Sequence, residues 1–149
     1  MKVIVVGAGL AGLACAKALR EGGAGVTAFD ASDGVGGRVR TDEKDGFLLD
    51  RGVQAYFTAY PVARRHLDYA RLDLRAFDPG AIIHRGRDWP HALRRISYGQ
   101  FAQPPGIHET LPKNRTATPN HFLAGEYTED SSINGSMLSG EKAAREVLG

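Results

Sequence analysis

Residues 2–30 read KVIVVGAGLAGLACAKALREGGAGVTAFD, and their order decides the fold. Lys2 to Val6 is a short β-branched run ending at a glycine, which predicts a fully buried parallel strand. Leu10 to Arg20 carries Leu, Ala and Cys almost without a break, has no proline, and stops at Glu21-Gly22-Gly23-Ala24-Gly25. Glycine after the last periodic residue is the expected helix stop. Val26 to Phe29 reads as a second strand, ending in Asp30. Strand, tight turn, helix and strand in this order make a βαβ unit.

The turn inside the unit is Gly7-Ala8-Gly9-Leu10-Ala11-Gly12, a G-x-G-x-x-G. Gly7 makes the tight turn, Gly9 lets the backbone approach a pyrophosphate, and Gly12 lets the helix pack close on the strand. The pyrophosphate would sit over the free N–H groups of the helix start, where the dipole favours negative charge. Asp30, which ends the next strand, is placed to accept hydrogen bonds from ribose hydroxyls. An acid there disfavours a 2′-phosphate, hence NADP. NAD and FAD share the adenosine-pyrophosphate half, so the unit alone leaves both open.

The 149 residues suit about one domain on a prior of roughly 100–200 residues each. Hydrophobic residues at 42% and charged residues at 24% are ordinary globular usage and exclude a wholly disordered chain. A net charge of +2 gives no sign of nucleic-acid binding. Arg64-Arg65 and Arg94-Arg95 read as solvated faces. One cysteine, Cys15, excludes an intrachain disulfide framework and suits a reducing compartment, so a cytoplasmic location is expected. The most apolar stretch, Val3 to Leu19, is broken by Gly7, Gly9, Gly12 and Lys17, which argues against a membrane span. His66, His84, His91, His108 and His121 share no ligand spacing, no metal site is expected, and they read as surface or strand histidines.

Past the second strand, Asp30-Ala31-Ser-Asp-Gly-Val-Gly36-Gly37-Arg38-Val-Arg-Thr41 resembles the segment that follows the βαβ unit in glutathione-reductase-like flavoproteins. More narrowly, it is similar to the FAD-dependent amine oxidase, phytoene desaturase and protoporphyrinogen oxidase group. The resemblance implies that Gly36, Gly37 and Arg38 lie along the FAD pyrophosphate and ribityl chain. Two glycines allow close backbone approach, and a guanidinium pairs well with phosphate oxygens. That group usually has Glu where this chain has Asp30, which shortens the ribose contact without changing its chemistry. The resemblance continues through Asp45 to Tyr56 as a strand followed by a glycine near the flavin, and so implicates Gly52, Val53, Gln54 and Ala55. Tyr60 to Leu72 reads as a helix with Pro61 in its first turn, and Ala81-Ile-Ile-His84 as a short strand after the Asp78-Pro79-Gly80 turn.

The other end carries a second piece of the same resemblance. Asn120-His-Phe-Leu-Ala-Gly-Glu126 reads as a short strand closing on Gly-Glu, and a helix follows from about Ser131. On this match Gly125, Glu126, Ser132, Ile133 and Asn134 approach the flavin. Gly135, Ser136, Ser139, Gly140, Ala143 and Ala144 form a small-residue face, which predicts tight packing of the helix on the sheet; propensity alone would disfavour its glycines by about 1 kcal/mol each. Ser139 and Lys142 also match an S-x-x-K pattern, but neither S-D-N nor K-T-G follows.

The expected architecture is therefore a single α/β domain over residues 1–149, a Rossmann-like parallel sheet with helices on its faces. Front FAD motifs occupy residues 1–84, an irregular junction 85–115, and the rear strand and helix 116–149. Members of the group usually have a long substrate domain between the two motifs, so most of it is missing here, with the join placed near Trp89-Pro90. The resemblance implies FAD-dependent oxidoreductase chemistry by hydride transfer to the flavin N5, with the substrate unassigned and no catalytic side chain named. Two alternatives stay open: a FAD-binding module without turnover of its own, and an NAD-dependent protein using only the front unit. Self-association or a partner protein over an exposed flavin is expected.

Overall fold

The computed structural model describes residues 1–52, 55–76 and 101–149. Strand β1 (Lys2–Val6), helix α1 (Leu10–Glu21) and strand β2 (Gly25–Phe29) form the βαβ unit, with β1 and β2 paired in parallel from Lys2↔Gly25 to Val6↔Phe29. The unit is α/β, as its periodicity requires.

Its sheet is covered on one face only among the described residues. Val3, Val5 and Val26 turn inward against Cys15, Leu19, Ala143 and Ala144. Side chains alternate along a strand, so Ile4, Val6 and Phe29 turn the other way, and they are 68%, 85% and 57% exposed. The strand expected to be fully buried is thus half-buried, and of the helices expected on the sheet's faces, those among the described residues lie on one.

The inner face is covered by α1 and by helix α3 (Ile133–Leu148). Ser132 caps α3, its Oγ accepting from the Gly135 N–H at 2.9 Å, which satisfies one of the orphan donors of the first turn. The small-residue face of α3 packs mainly on α1 rather than on the sheet. A Cβ at Gly140 would run into the backbone carbonyl of Ala11 and the backbone nitrogen of Cys15. A second cluster joins Ala14 and Met137 to Val62 and Ala63.

Strands β3 (Thr41–Lys44) and β4 (Phe47–Asp50) form an antiparallel hairpin. Asp45 and Gly46, both at positive φ (54° and 80°), close it, the two-residue turn that Asp-Gly favours. The helix expected over Tyr60 to Leu72 breaks in two. Helix α2 spans only Ala63–His66, Leu67 is extended, and Asp68 starts a separate 3-10 turn at Tyr69–Arg71 by accepting from Ala70 N–H. The strand expected at Asn120 to Glu126 has no partner strand among the described residues; a single bridge links Phe122 to Arg115. A 3-10 turn at Ile107–Glu109 lies in the expected junction. Ala81 to His84, Trp89-Pro90, His91 and Arg94-Arg95 lie outside the described residues.

Arg64 and Arg65 are exposed, as a solvated face requires, whereas the His66 side chain, expected at the surface, is only 7% exposed, with Nε2 2.9 Å from Glu141 Oε1. Arg65 reaches the same carboxylate at 2.9 Å. Burial opposes ionisation of Glu141, but its hydrogen bonds from Arg65 and His66 hold the carboxyl below its ordinary value. Arg64 lies 5.1 Å from the centre of the Tyr69 ring. The Arg65 and His66 contacts with Glu141 tie α2 to α3. No helix among the described residues is long and apolar enough to cross a membrane.

Candidate functional site

The G-x-G-x-x-G turn folds as its glycines dictate. Gly7 has a φ of +101°, a conformation that L side chains rarely adopt. A Cβ on Gly12 would fall on the carbonyl of Gly7, so only glycine lets α1 start this close to β1. Gly9 precedes α1 without any side-chain cap, and a Cβ there would meet nothing within 4 Å. Bare backbone and the uncapped start of a twelve-residue helix therefore face open space.

That space is a cleft of about 1450 Å³, larger than the roughly 300–1,000 Å³ of a small-molecule pocket. Gly7, Gly9, Leu10, Ala11 and Gly12 line one wall. The second glycine loop meets the first directly: Gly36 N–H donates to Ala8 C=O at 2.8 Å, and Gly36, Gly37 and Arg38 line the cleft beside it. Gly52, Ala55, Phe57 and Tyr60 also line it. From the far end of the sequence, Gly125, Glu126, Ser132 and Ile133 complete the wall.

Front and rear motifs touch through an ion pair. Arg38 Nη2 lies 2.8 Å from Glu126 Oε2, with the Glu126 side chain only 14% exposed. The starts of α1 and α3 thus border one cleft, and a cation–carboxylate pair stands between the two loops.

Three expected site residues stand outside the cleft wall. Asp30 turns its carboxylate onto the loop itself: Oδ2 accepts from Ala8 N–H at 2.5 Å, and Oδ1 accepts from the Ser32 N–H and hydroxyl at 2.8 and 2.6 Å. Led by the Ser32 hydroxyl, these bonds lower its pKa to about 2. Ala31 is exposed beside it. Asn134 is occupied elsewhere, its Oδ1 accepting from Val62 N–H at 3.0 Å. Val53 and Gln54 lie outside the described residues.

Ser131 was not legible as a site residue, yet it lines the cleft. Its Oγ is buried and has no hydrogen-bond partner among the described residues, and its N–H reaches Gln103 Oε1 at 3.3 Å. Its position directly before the cap Ser132 was the available signal. Ser139 of the S-x-x-K pattern is fully buried and hydrogen-bonded, so it is no nucleophile, and Lys142 pairs with Glu129 at 2.7 Å.

The residues present fit a dinucleotide. The open backbone at Gly9 admits a pyrophosphate, Arg38 supplies a cation beside it, and the orphaned Ser131 Oγ supplies a hydrogen-bonding group from the wall.

Comparison with known proteins gives two family matches end to end. Residues 5–70 match an NAD(P)-binding Rossmann-like domain, and residues 75–148 match flavin containing amine oxidoreductases. An L-amino-acid oxidase of Bungarus fasciatus is 42% identical over 77 residues, 50% of this chain and 15% of its own. A coproporphyrinogen III oxidase of Propionibacterium freudenreichii subsp. freudenreichii is 32% identical over 90 residues, 57% of this chain and 17% of its own. An L-amino acid oxidase of Lachesis muta is 32% identical over 111 residues, 70% of this chain and 20% of its own. The matched part of each relative is thus a fifth of its length or less. The two matches follow each other in the order of the front and rear motifs that share the cleft, and on them the chain belongs to the FAD-dependent amine-oxidase-like flavoproteins.

Proposed function

We propose that this chain forms one FAD-binding unit from both of its ends and serves a flavin-dependent oxidoreductase acting on a C–H or C–N carbon. When bound, FAD supplies the acceptor for the substrate's hydride at its N5. The chain's own residues hold and orient the cofactor. The first N–H groups of α1, bared at Gly9, face the pyrophosphate, where the helix dipole favours negative charge. Arg38 neutralises the same phosphates while its partner Glu126 fixes its direction. Asp30, already ordering the loop through Ala8 and Ser32, keeps acceptor capacity for a ribose hydroxyl. Gly52, Ala55, Ser131, Ser132 and Ile133 face the rest of the cofactor, and Val53 and Gln54 are assigned to the same region from the sequence. A cytoplasmic setting is part of this reading.

The ion pair between Arg38 and Glu126 carries the proposal, because it joins two motifs that the sequence keeps at opposite ends. A second reading, a FAD-binding module without turnover of its own, draws on the bare sheet face at Ile4, Val6 and Phe29. Anaerobic mixing of the FAD-loaded protein with amine and polyene substrates separates the two. Bleaching of the flavin absorbance by substrate supports the oxidoreductase. Retained yellow colour with every substrate supports the module. A protein that takes up NAD and no flavin would refute both.

A further inference from the structure

Behind the Gly125–Glu126 turn, three polar side chains meet away from water. Asn114 is 8% exposed, Thr128 9%, and Ser139 fully buried. Asn114 Nδ2 donates to Leu123 C=O at 2.9 Å and lies 3.2–3.3 Å from Thr128 Oγ1, Ser139 Oγ and Ser139 C=O. Ser139 Oγ and Thr128 Oγ1 are 2.6 Å apart. Between them they hold residue 125: Gly125 N–H donates to Ser139 Oγ at 2.8 Å, and the Thr128 hydroxyl donates to Gly125 C=O at 3.1 Å.

The Gly125 N–H is therefore held by a side chain of this cluster, and its C=O by the Thr128 hydroxyl together with the Thr128 N–H, also at 3.1 Å. The next residue is Glu126, whose carboxylate lies 2.8 Å from Arg38. Hydrogen bonds run from Asn114 and α3 to the Gly125 backbone, and the covalent chain to Glu126 and its ion pair with Arg38 continue the connection to the cleft. Hydrogen bonds are directional where apolar packing is not, and in a low-dielectric interior such a network fixes geometry. None of the three side chains lines the cleft, apart from the backbone they hold.

We propose that Asn114, Thr128 and Ser139 are positioning residues for the cofactor, fixing the Gly125 backbone and through it the Glu126 carboxylate that aims Arg38. The inference rests on the FAD reading of the cleft. Thr128→Val keeps the branched shape and removes the hydroxyl, whereas Thr128→Ser keeps the hydroxyl. FAD titrations of the 149-residue chain, each with and without Arg38→Ala, test the coupling. Thr128→Val should weaken FAD binding about tenfold, the scale of one lost buried hydrogen bond, while Thr128→Ser stays near wild type. In the Thr128→Val background, Arg38→Ala should cost markedly less than in wild type, because the arginine is already misdirected; a purely structural defect would leave the two losses additive. Ser139→Ala, which adds no bulk, should repeat the Thr128→Val result and replaces it if that variant loses its native circular dichroism. Wild-type affinity in both hydroxyl-deleted variants, or full additivity with Arg38→Ala, would overturn the positioning role alone. A wild-type chain that binds no FAD would overturn the cofactor reading and the positioning role with it.

Discussion

Arg38 and Glu126 face each other across the cleft at 2.8 Å, one from the loop after β2 and the other from the turn before α3. On the proposed FAD reading, Arg38 would separate two negative groups, the Glu126 carboxylate and the cofactor's pyrophosphate. Arg38→Ala should therefore weaken FAD by more than the loss of one charge-assisted bond, because it leaves those groups opposed. On a scale of about 1.5–3 kcal/mol for such a bond, the fall is at least one to two decades. Glu126→Gln should cost less, and adding it to Arg38→Ala should recover part of the loss. Isothermal titration of the four proteins measures this, and a double variant worse than Arg38→Ala would contradict it.

The contact of α3 with α1 depends on Gly140. A Cβ there meets the backbone of Ala11 and Cys15, not a side chain that can swing away. Gly140→Ala should cost about 1–3 kcal/mol through overpacking, lowering Tm by roughly 2–10 °C for a chain of this size. Helix propensity acts in the opposite direction by about 1 kcal/mol. Thermal unfolding followed by circular dichroism decides the sign, and a raised Tm would mean that the helices are further apart.

Asp30 orders the glycine loop as a carboxylate, its pKa lowered from an ordinary 3.8 to about 2. A group depressed in the folded state contributes stability above its unfolded value and loses it as pH falls through its folded value. The Ala8 amide should therefore stay protected from hydrogen exchange down to about pH 4 and lose protection towards pH 2. Asp30→Asn should remove that step and weaken FAD by about one decade, the scale of a lost charged acceptor. A pH-independent Ala8 amide would contradict the assignment.

The bare face at Ile4, Val6 and Phe29 continues the apolar surface of β1 and β2 beyond what the described helices cover. Contiguous exposed apolar surface favours association. Light scattering should show a mass that rises with protein concentration, and Val6→Lys should reduce the rise. A mass fixed at one chain over the whole range would contradict this.

The βαβ unit was legible because its signals are local: a β-branched run, three spaced glycines, and a terminal acid within one stretch. Exposure of Ile4 and Val6 was not, since strand composition is the same whether or not a second layer covers it. Residues 60–72 misled because Pro61 marks a helix start while α2 ends at an extended Leu67, next to a His66 that contacts Glu141 from the far end of the sequence. Asp68, which starts the next turn, was a readable warning, as was Asp45-Gly46 for the hairpin. The residues of both glycine motifs were assignable to one cleft only through the family resemblance. The Asn114 cluster depends on tertiary neighbours that no spacing encodes, and for Ser131 the one readable signal was its place before the cap Ser132. Asn134 carried no sign that its side chain would be taken up by Val62.

The central claim is that both ends of the chain build one FAD site. It is tested most directly by fluorescence titration of the flavin-free 149-residue protein with FAD, repeated on Gly9→Val and Glu126→Ala. Saturable binding of one FAD per chain is expected, abolished by the side chain placed in the pyrophosphate's space at Gly9 and clearly weakened at Glu126. Tight binding that is indifferent to both substitutions would contradict the shared site, and so would the absence of FAD binding by the wild-type chain.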